Sequence, residues 1–127
     1  MKIATLVARI LLGLGFAAQV VGFFVSPPPD PGLAGTFDTA FYGSHWALYV
    51  CAALAVAGVL LLINRYVPAA LIVIAAFLYN SFAFHITMAQ SSLAAPAIVF
   101  VLWLVVALPY RERFATLFTG TPPSHGV

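Results

Sequence analysis

The chain has 127 residues, 64% of them hydrophobic and only 6% charged, with a mean hydropathy of +1.10. Soluble domains carry about 25% charged residues, so five Lys or Arg and three Asp or Glu cannot clothe a water-facing surface, and the chain must use lipid or other proteins as its solvent. The pI near 9.0 does not mark a nucleic-acid binder, because Lys2, Arg9, Arg65, Arg111 and Arg113 are dispersed and form no basic patch with interleaved aromatics.

Four apolar runs, at residues 3–25, 45–63, 68–88 and 93–110, have the roughly 17–25 residues a membrane-spanning helix needs. They show no period-two alternation, which excludes the strands of a closed barrel. The first run is too long for the apolar core of a signal peptide and carries Arg9, so it is expected to remain as a span. Residues 26–44 are rich in Pro and Gly and are predicted to be a loop. Asn64 to Val67 make a tight turn, Pro68 suits a first helical turn, and residues 111–127 are predicted to be a tail that ends in disorder. Cys51 stands alone, so an intramolecular disulfide is excluded, and it reads as a small packing residue.

The expected fold class is all-α, an integral membrane four-helix bundle. Lys2, Arg65, Arg111 and Arg113 fall on one side of the membrane, whereas Asp30 and Asp38 fall on the other. The positive-inside rule therefore predicts cytoplasmic N- and C-termini with residues 26–44 as an outer loop.

Helices in lipid associate through small residues and shared hydrogen bonds. Ala4, Ala8, Gly15, Gln19 and Gly22 are predicted to form such a seam on the first helix, and Ala47, Cys51, Ala55 and Gly58 on the second. On the third, Asn80, Ser81 and His85 share a face predicted to turn inward, leaving Leu71, Val73 and Leu78 to meet lipid. Gln19, Tyr49, Asn80, Ser81 and His85, with His45, then gather in the outer half of the bundle. Such a cluster either exchanges hydrogen bonds between helices or holds a flat polar ligand such as a quinone head group. A haem held by His45 and His85 would need both imidazoles to converge on one iron, and His45 at a helix start faces water as readily, so haem is not expected. No residues gather as a metal site, and no cofactor is required. Arg9 is placed roughly 9 Å inside the inner end of its helix with no intramembrane acid to pair with, and is expected to snorkel to the headgroups. The chain contains no GxSxG, HExxH or GxGxxG, so a self-sufficient catalytic centre is not expected.

The segments "KIATLVARILLGLGF", "AGVLLLINRYVPAALIVIAAFLYNSFAFH" and "VLWLVVALPYRERF" resemble the DoxX-like family of small bacterial four-helix membrane proteins. The Asn64-to-Pro68 turn and the Asn80-x-x-x-Phe84-His85 spacing are the most specific pieces. The resemblance implies a multi-pass protein of the bacterial inner membrane and makes Arg9, Asn64, Arg65, Asn80 and His85 the positions that match the family's polar pattern. Relatives often carry a glutamate before the glycine of the second helix, where this chain reads Ala53-Leu54-Ala55.

The expectation is therefore a non-catalytic subunit or accessory protein of a membrane complex, which the resemblance implies is quinone-linked. Its partners would be the bilayer and a membrane or periplasmic redox protein, with homo-oligomers also open. The alternatives are a quinone- or lipid-binding protein built around His85 and, third, a small oligomeric transporter.

Overall fold

The computed structural model describes residues 2–25 and 31–120, and every regular element in them is helical. In chain order these are α1 (Lys2–Ala17), α2 (Gln19–Phe24), α3 (Leu33–Gly43), α4 (Trp46–Leu62), α5 (Val67–Met88), α6 (Ala94–Ala107) and α7 (Arg111–Ala115). Short 3-10 turns at Gln90–Ser92, Leu108–Tyr110 and Thr116–Phe118 flank the last two. Three stretches, Lys2–Phe24, Val67–Met88 and Gln90–Phe118, are long and apolar enough to cross a membrane. A fourth arises if α3 and α4, which meet at 82°, are counted together.

The helices end where local chemistry stops them. At the end of α4, Asn64 adopts the left-handed conformation with φ 57°. The Asn64 amide then donates to Leu61 O at 3.2 Å and the Arg65 amide to Leu60 O at 3.0 Å, the paired bonds of a Schellman motif with Asn in the place usually taken by Gly. Pro68 stands in the opening turn of α5, where its missing amide proton costs nothing.

Two predicted boundaries change. The stretch predicted to be a loop contains α3, because Pro31 is its last proline and the eleven residues after Gly32 hold only Gly35 as an internal weak point. Helical turns likewise continue from Arg111 through Phe118 inside the predicted tail. The prolines from Pro27 to Pro29, Asp30 and the end of the tail lie outside the described residues.

α1 packs against α4 and α6, and α5 packs against the same two. Their shared core is wholly apolar: Ala8, Leu12 and Phe16 from α1, Leu54, Ala57 and Leu61 from α4, Val67, Ala70, Leu71, Ile74 and Leu78 from α5, and Val106 and Ala107 from α6. No polar or charged residue is buried among the described residues. Large apolar side chains such as Val21, Val56, Ile72, Ile98 and Val101 point outward instead. The core is as apolar as water would make it, but the equally apolar exterior is what a hydrocarbon solvent permits.

The tightest crossing is between α1 and α4. A Cβ on Gly58 would come within 2.7 Å of Gly13 O and 2.8 Å of Phe16 C, and closer still to Ala17 N. Gly58 thus lets two backbones touch, the role small residues play between membrane helices.

The faces differ from those predicted in two places. On α1 the seam runs through Ala8, Leu12, Gly13 and Phe16, while Ala4, Gly15 and Gly22 are exposed. On α5, Leu71 and Leu78 belong to the core and Val73 looks outward, while Asn80, predicted to turn inward, is exposed and Ser81 and His85 are half-buried. A helix that is apolar around its whole circumference offers lipid and protein equivalent faces, and on α1 the close approach to Gly58 of α4 goes with the face that is chosen.

Polar contacts between helices are made by side chains that reach a neighbour's backbone. Trp103 Nε1 of α6 donates to Leu71 O of α5 at 2.8 Å. Trp103→Phe keeps an aromatic ring, though a smaller one, and removes the donor. It should lower stability by about 1 kcal/mol, read by reversible unfolding in mixed micelles; an unchanged midpoint would show the bond contributes nothing.

Candidate ligand-binding site

The end of the molecule away from Lys2 and Arg111 is built by a sharp corner. His45 takes a left-handed conformation with φ 66° between α3 and α4. The Ser44 hydroxyl donates to Phe41 O at 3.2 Å and accepts the Trp46 amide at 3.4 Å. This corner folds α3 back across α4 and toward α5.

Between the three helices lies a cavity of about 670 Å³, inside the 300–1,000 Å³ typical of small-molecule sites. Phe37, Phe41 and Tyr42 of α3, Trp46 and Val50 of α4, and Phe77 and Phe84 of α5 give it an apolar, mainly aromatic wall. Asp38, Asn80, Ser81, His85 and Thr87 add polar groups. The rings are continuous. Phe37 stacks on Phe41 at 5.4 Å and meets Phe84 at 5.4 Å, Phe84 meets the His85 ring at 5.3 Å, and Phe41 meets Trp46 edge-on at 5.1 Å. Offset and edge-on pairs at these spacings hold one another in place, so the wall is pre-formed.

The polar residues of α5 are held by their own chain. Asn80 Nδ2 donates to Ala76 O at 2.9 Å, and the Thr87 hydroxyl donates to Ala83 O at 2.7 Å. His85 Nδ1 lies 2.8 Å from Ser92 Oγ and 3.4 Å from Ala89 O, and the Ser92 hydroxyl donates to the same carbonyl at 3.1 Å. Because a carbonyl only accepts, a proton on Nδ1 satisfies both neighbours at once. That tautomer leaves Nε2 as a hydrogen-bond acceptor. The turn after α5 therefore orients the His85 ring, as a supporting partner orients a working imidazole.

Of the residues predicted to form the site, Asn80, Ser81 and His85 line this cavity, whereas Gln19 and Tyr49 do not. Tyr49 is 76% exposed, and Gln19 opens the short helix α2 and is half-buried. Nor do Asn80 and His85 tie helices together, which was the structural alternative; their bonds are to the same helix or the turn that follows it. The two histidines do not share the cavity. His45 is absent from its wall, with its ring 6.3 Å from Phe23. Among the described residues no group of three or more His, Cys, Asp or Glu could hold a metal ion. Reading the sequence missed the contribution of α3, whose Phe37 and Phe41 at helical spacing were the available signal.

Arg9, Asn64 and Arg65 belong to the opposite end. Arg9 Nη1 donates to Leu61 O and, at 3.4 Å, to Leu62 O. The guanidinium thus meets the last carbonyls of α4, where the helix dipole favours a cation, rather than only reaching toward headgroups.

Compared with protein-family models, curated proteins and solved structures, the chain matches none.

Proposed function

We propose that the chain is an integral membrane protein of four spans that binds a flat amphipathic ligand of the quinone class between α3, α4 and α5. In this reading it serves a membrane redox complex as a non-catalytic accessory subunit. The single observation that carries the ligand reading is the aromatic cavity with His85 oriented in its wall. A ring system slides between Phe41, Trp46 and Phe84 at little cost in order, since the walls are already packed. Ser81 and Tyr42 hydroxyls can donate to a ring carbonyl, and His85 Nε2 can accept from a ring hydroxyl. The apolar side of the cavity suits an isoprenoid or acyl tail.

The four-helix bundle is supported by the packing of α1 and α5 on both α4 and α6. A cytoplasmic location for both termini is supported by the cations, since Lys2, Arg9 and Arg111 border one cavity and residues 26–44 and 89–93 carry no Lys or Arg, while the bacterial inner membrane rests on the resemblance alone. The accessory role and the redox partner rest on the resemblance to DoxX-like proteins.

The test uses the two tryptophans. Trp46 lines the cavity and Trp103 does not, so in a Trp103→Phe background the emission reports occupancy. A short-chain benzoquinone or naphthoquinone should quench it saturably. Ala76→Phe, which fills the cavity, should weaken binding more than tenfold. His85→Ala should weaken it roughly five- to tenfold, the worth of one hydrogen bond, with a small effect on the melting temperature because His85 bonds only locally. Equal binding by the filled variant would end the proposal. Complete displacement of the quinone by neutral phospholipid would make the cavity a lipid groove instead.

A further inference from the structure

A second cavity, of about 390 Å³, lies at the opposite end, where α1 begins, α4 turns into α5 and α6 ends. Lys2, Arg9 and Arg111, three of the five Lys and Arg residues in the chain, line it, and no Asp or Glu does. Thr5, Asn64 and Tyr110 add neutral hydrogen-bonding groups, while Leu6, Val106, Leu108 and Pro109 form an apolar wall. Two of the cations are fixed by backbone carbonyls. Arg9 is held through Nη1 by Leu61 and Leu62, and Arg111 Nη1 donates to Leu108 O at 3.0 Å. Each guanidinium thereby keeps its Nη2 side for another acceptor, and planar guanidinium groups suit phosphate oxygens.

We propose that this cavity binds a phosphate group, and that its source is the head of an anionic phospholipid. Three cations without an acid in the wall repel one another, and the single negative charge of a phosphate diester offsets part of that repulsion. The apolar wall decides the source. Leu6 and Leu108 are both about half exposed and continue the cavity onto the lipid-facing surface of α1 and α6, where acyl chains can lie. A free phosphate would use the cations and leave that wall unmatched. Basic pockets between membrane helices bind anionic head groups in this way. The inference rests on the membrane reading of the chain but not on the quinone-class ligand at the far end.

The experiment measures retention of phosphatidylglycerol against phosphatidylcholine by the full chain in neutral detergent, by native mass spectrometry and thermal shift. Phosphatidylglycerol should be retained and should raise the melting temperature; phosphatidylcholine should do neither. Lys2→Gln with Arg111→Gln should weaken retention roughly fivefold per charge. Arg65→Gln, outside the cavity wall, removes a charge at the same end and should leave retention unchanged, as should His85→Ala. The proposal is overturned if phosphatidylcholine binds as well, if Arg65→Gln matters as much as Arg111→Gln, or if inorganic phosphate alone reproduces the full shift.

Discussion

Gly58→Ala should be the most damaging single-methyl change in the molecule. The added Cβ would meet Gly13 O at 2.7 Å, Phe16 C at 2.8 Å and Ala17 N closer still. All three are backbone atoms that no rotamer change can move, so α1 and α4 must separate by about 1 Å to restore ordinary contact. Separation loosens Ala8, Leu12 and Phe16 against Leu54, Ala57 and Leu61 together. Overpacking typically costs about 1–3 kcal/mol, and a backbone-on-backbone clash belongs at or above the top of that range. The exposed glycines supply the control. A Cβ on Gly15 or Gly22 meets nothing within 4 Å, so Gly→Ala there should be neutral or stabilise by up to about 1 kcal/mol through helix propensity. Unfolding in mixed micelles compares the three variants directly. A Gly58→Ala protein within about 0.5 kcal/mol of the parent, the scatter of harmless surface changes, would refute the crossing.

What could be read from sequence and what could not divide along one physical line. Helix lengths follow the lengths of the apolar runs, so 45–63 and 68–88 were predicted within a residue of α4 (Trp46–Leu62) and α5 (Val67–Met88), although α4 counts as a candidate span only together with α3. Faces are another matter. In water a polar stripe announces the outside of a helix, but Leu71 and Val73 are equally at home in lipid and in a core, and the sequence holds no mark that sends the first inward and the second outward. The partners of Arg9 and Trp103 were equally hidden, because both donate to backbone carbonyls, which every residue possesses. Polar residues in an apolar helix were expected to reach across to neighbours. Asn80 and Thr87 instead bond the carbonyl four residues back, the nearest acceptor for a short side chain on a helix. Asn80, Ser81 and His85 still line one cavity because they share a face, which periodicity did reveal. The aromatic wall opposite them depends on the 82° corner at His45, and no residue pattern foretold a left-handed histidine there.

Arg9→Met should lower stability by about 2 kcal/mol, and the sign of that change separates two accounts of the residue. If Arg9 were an unpaired charge at mid-bilayer, replacing it with an apolar chain of similar length would relieve about 2.5–3.5 kcal/mol of insertion cost and raise stability. The geometry argues otherwise. Arg9 stands level with the last residues of α4, in a cavity wall with Lys2, Asn64 and Arg111; on the proposed topology that puts its charge near the membrane boundary, where little insertion cost is recovered. Its loss leaves Leu62 O without that donor and deprives Leu61 O of a charge-assisted bond, which is worth about 1.5–3 kcal/mol. It also removes the cation that complements the α4 dipole. Arg9→Lys should recover about half the loss, since one ammonium can reach a carbonyl but cannot spread planar donors over two adjacent ones. A methionine variant as stable as the parent, or more so, would mean that the guanidinium merely reaches for headgroups and that α4 ends without its help.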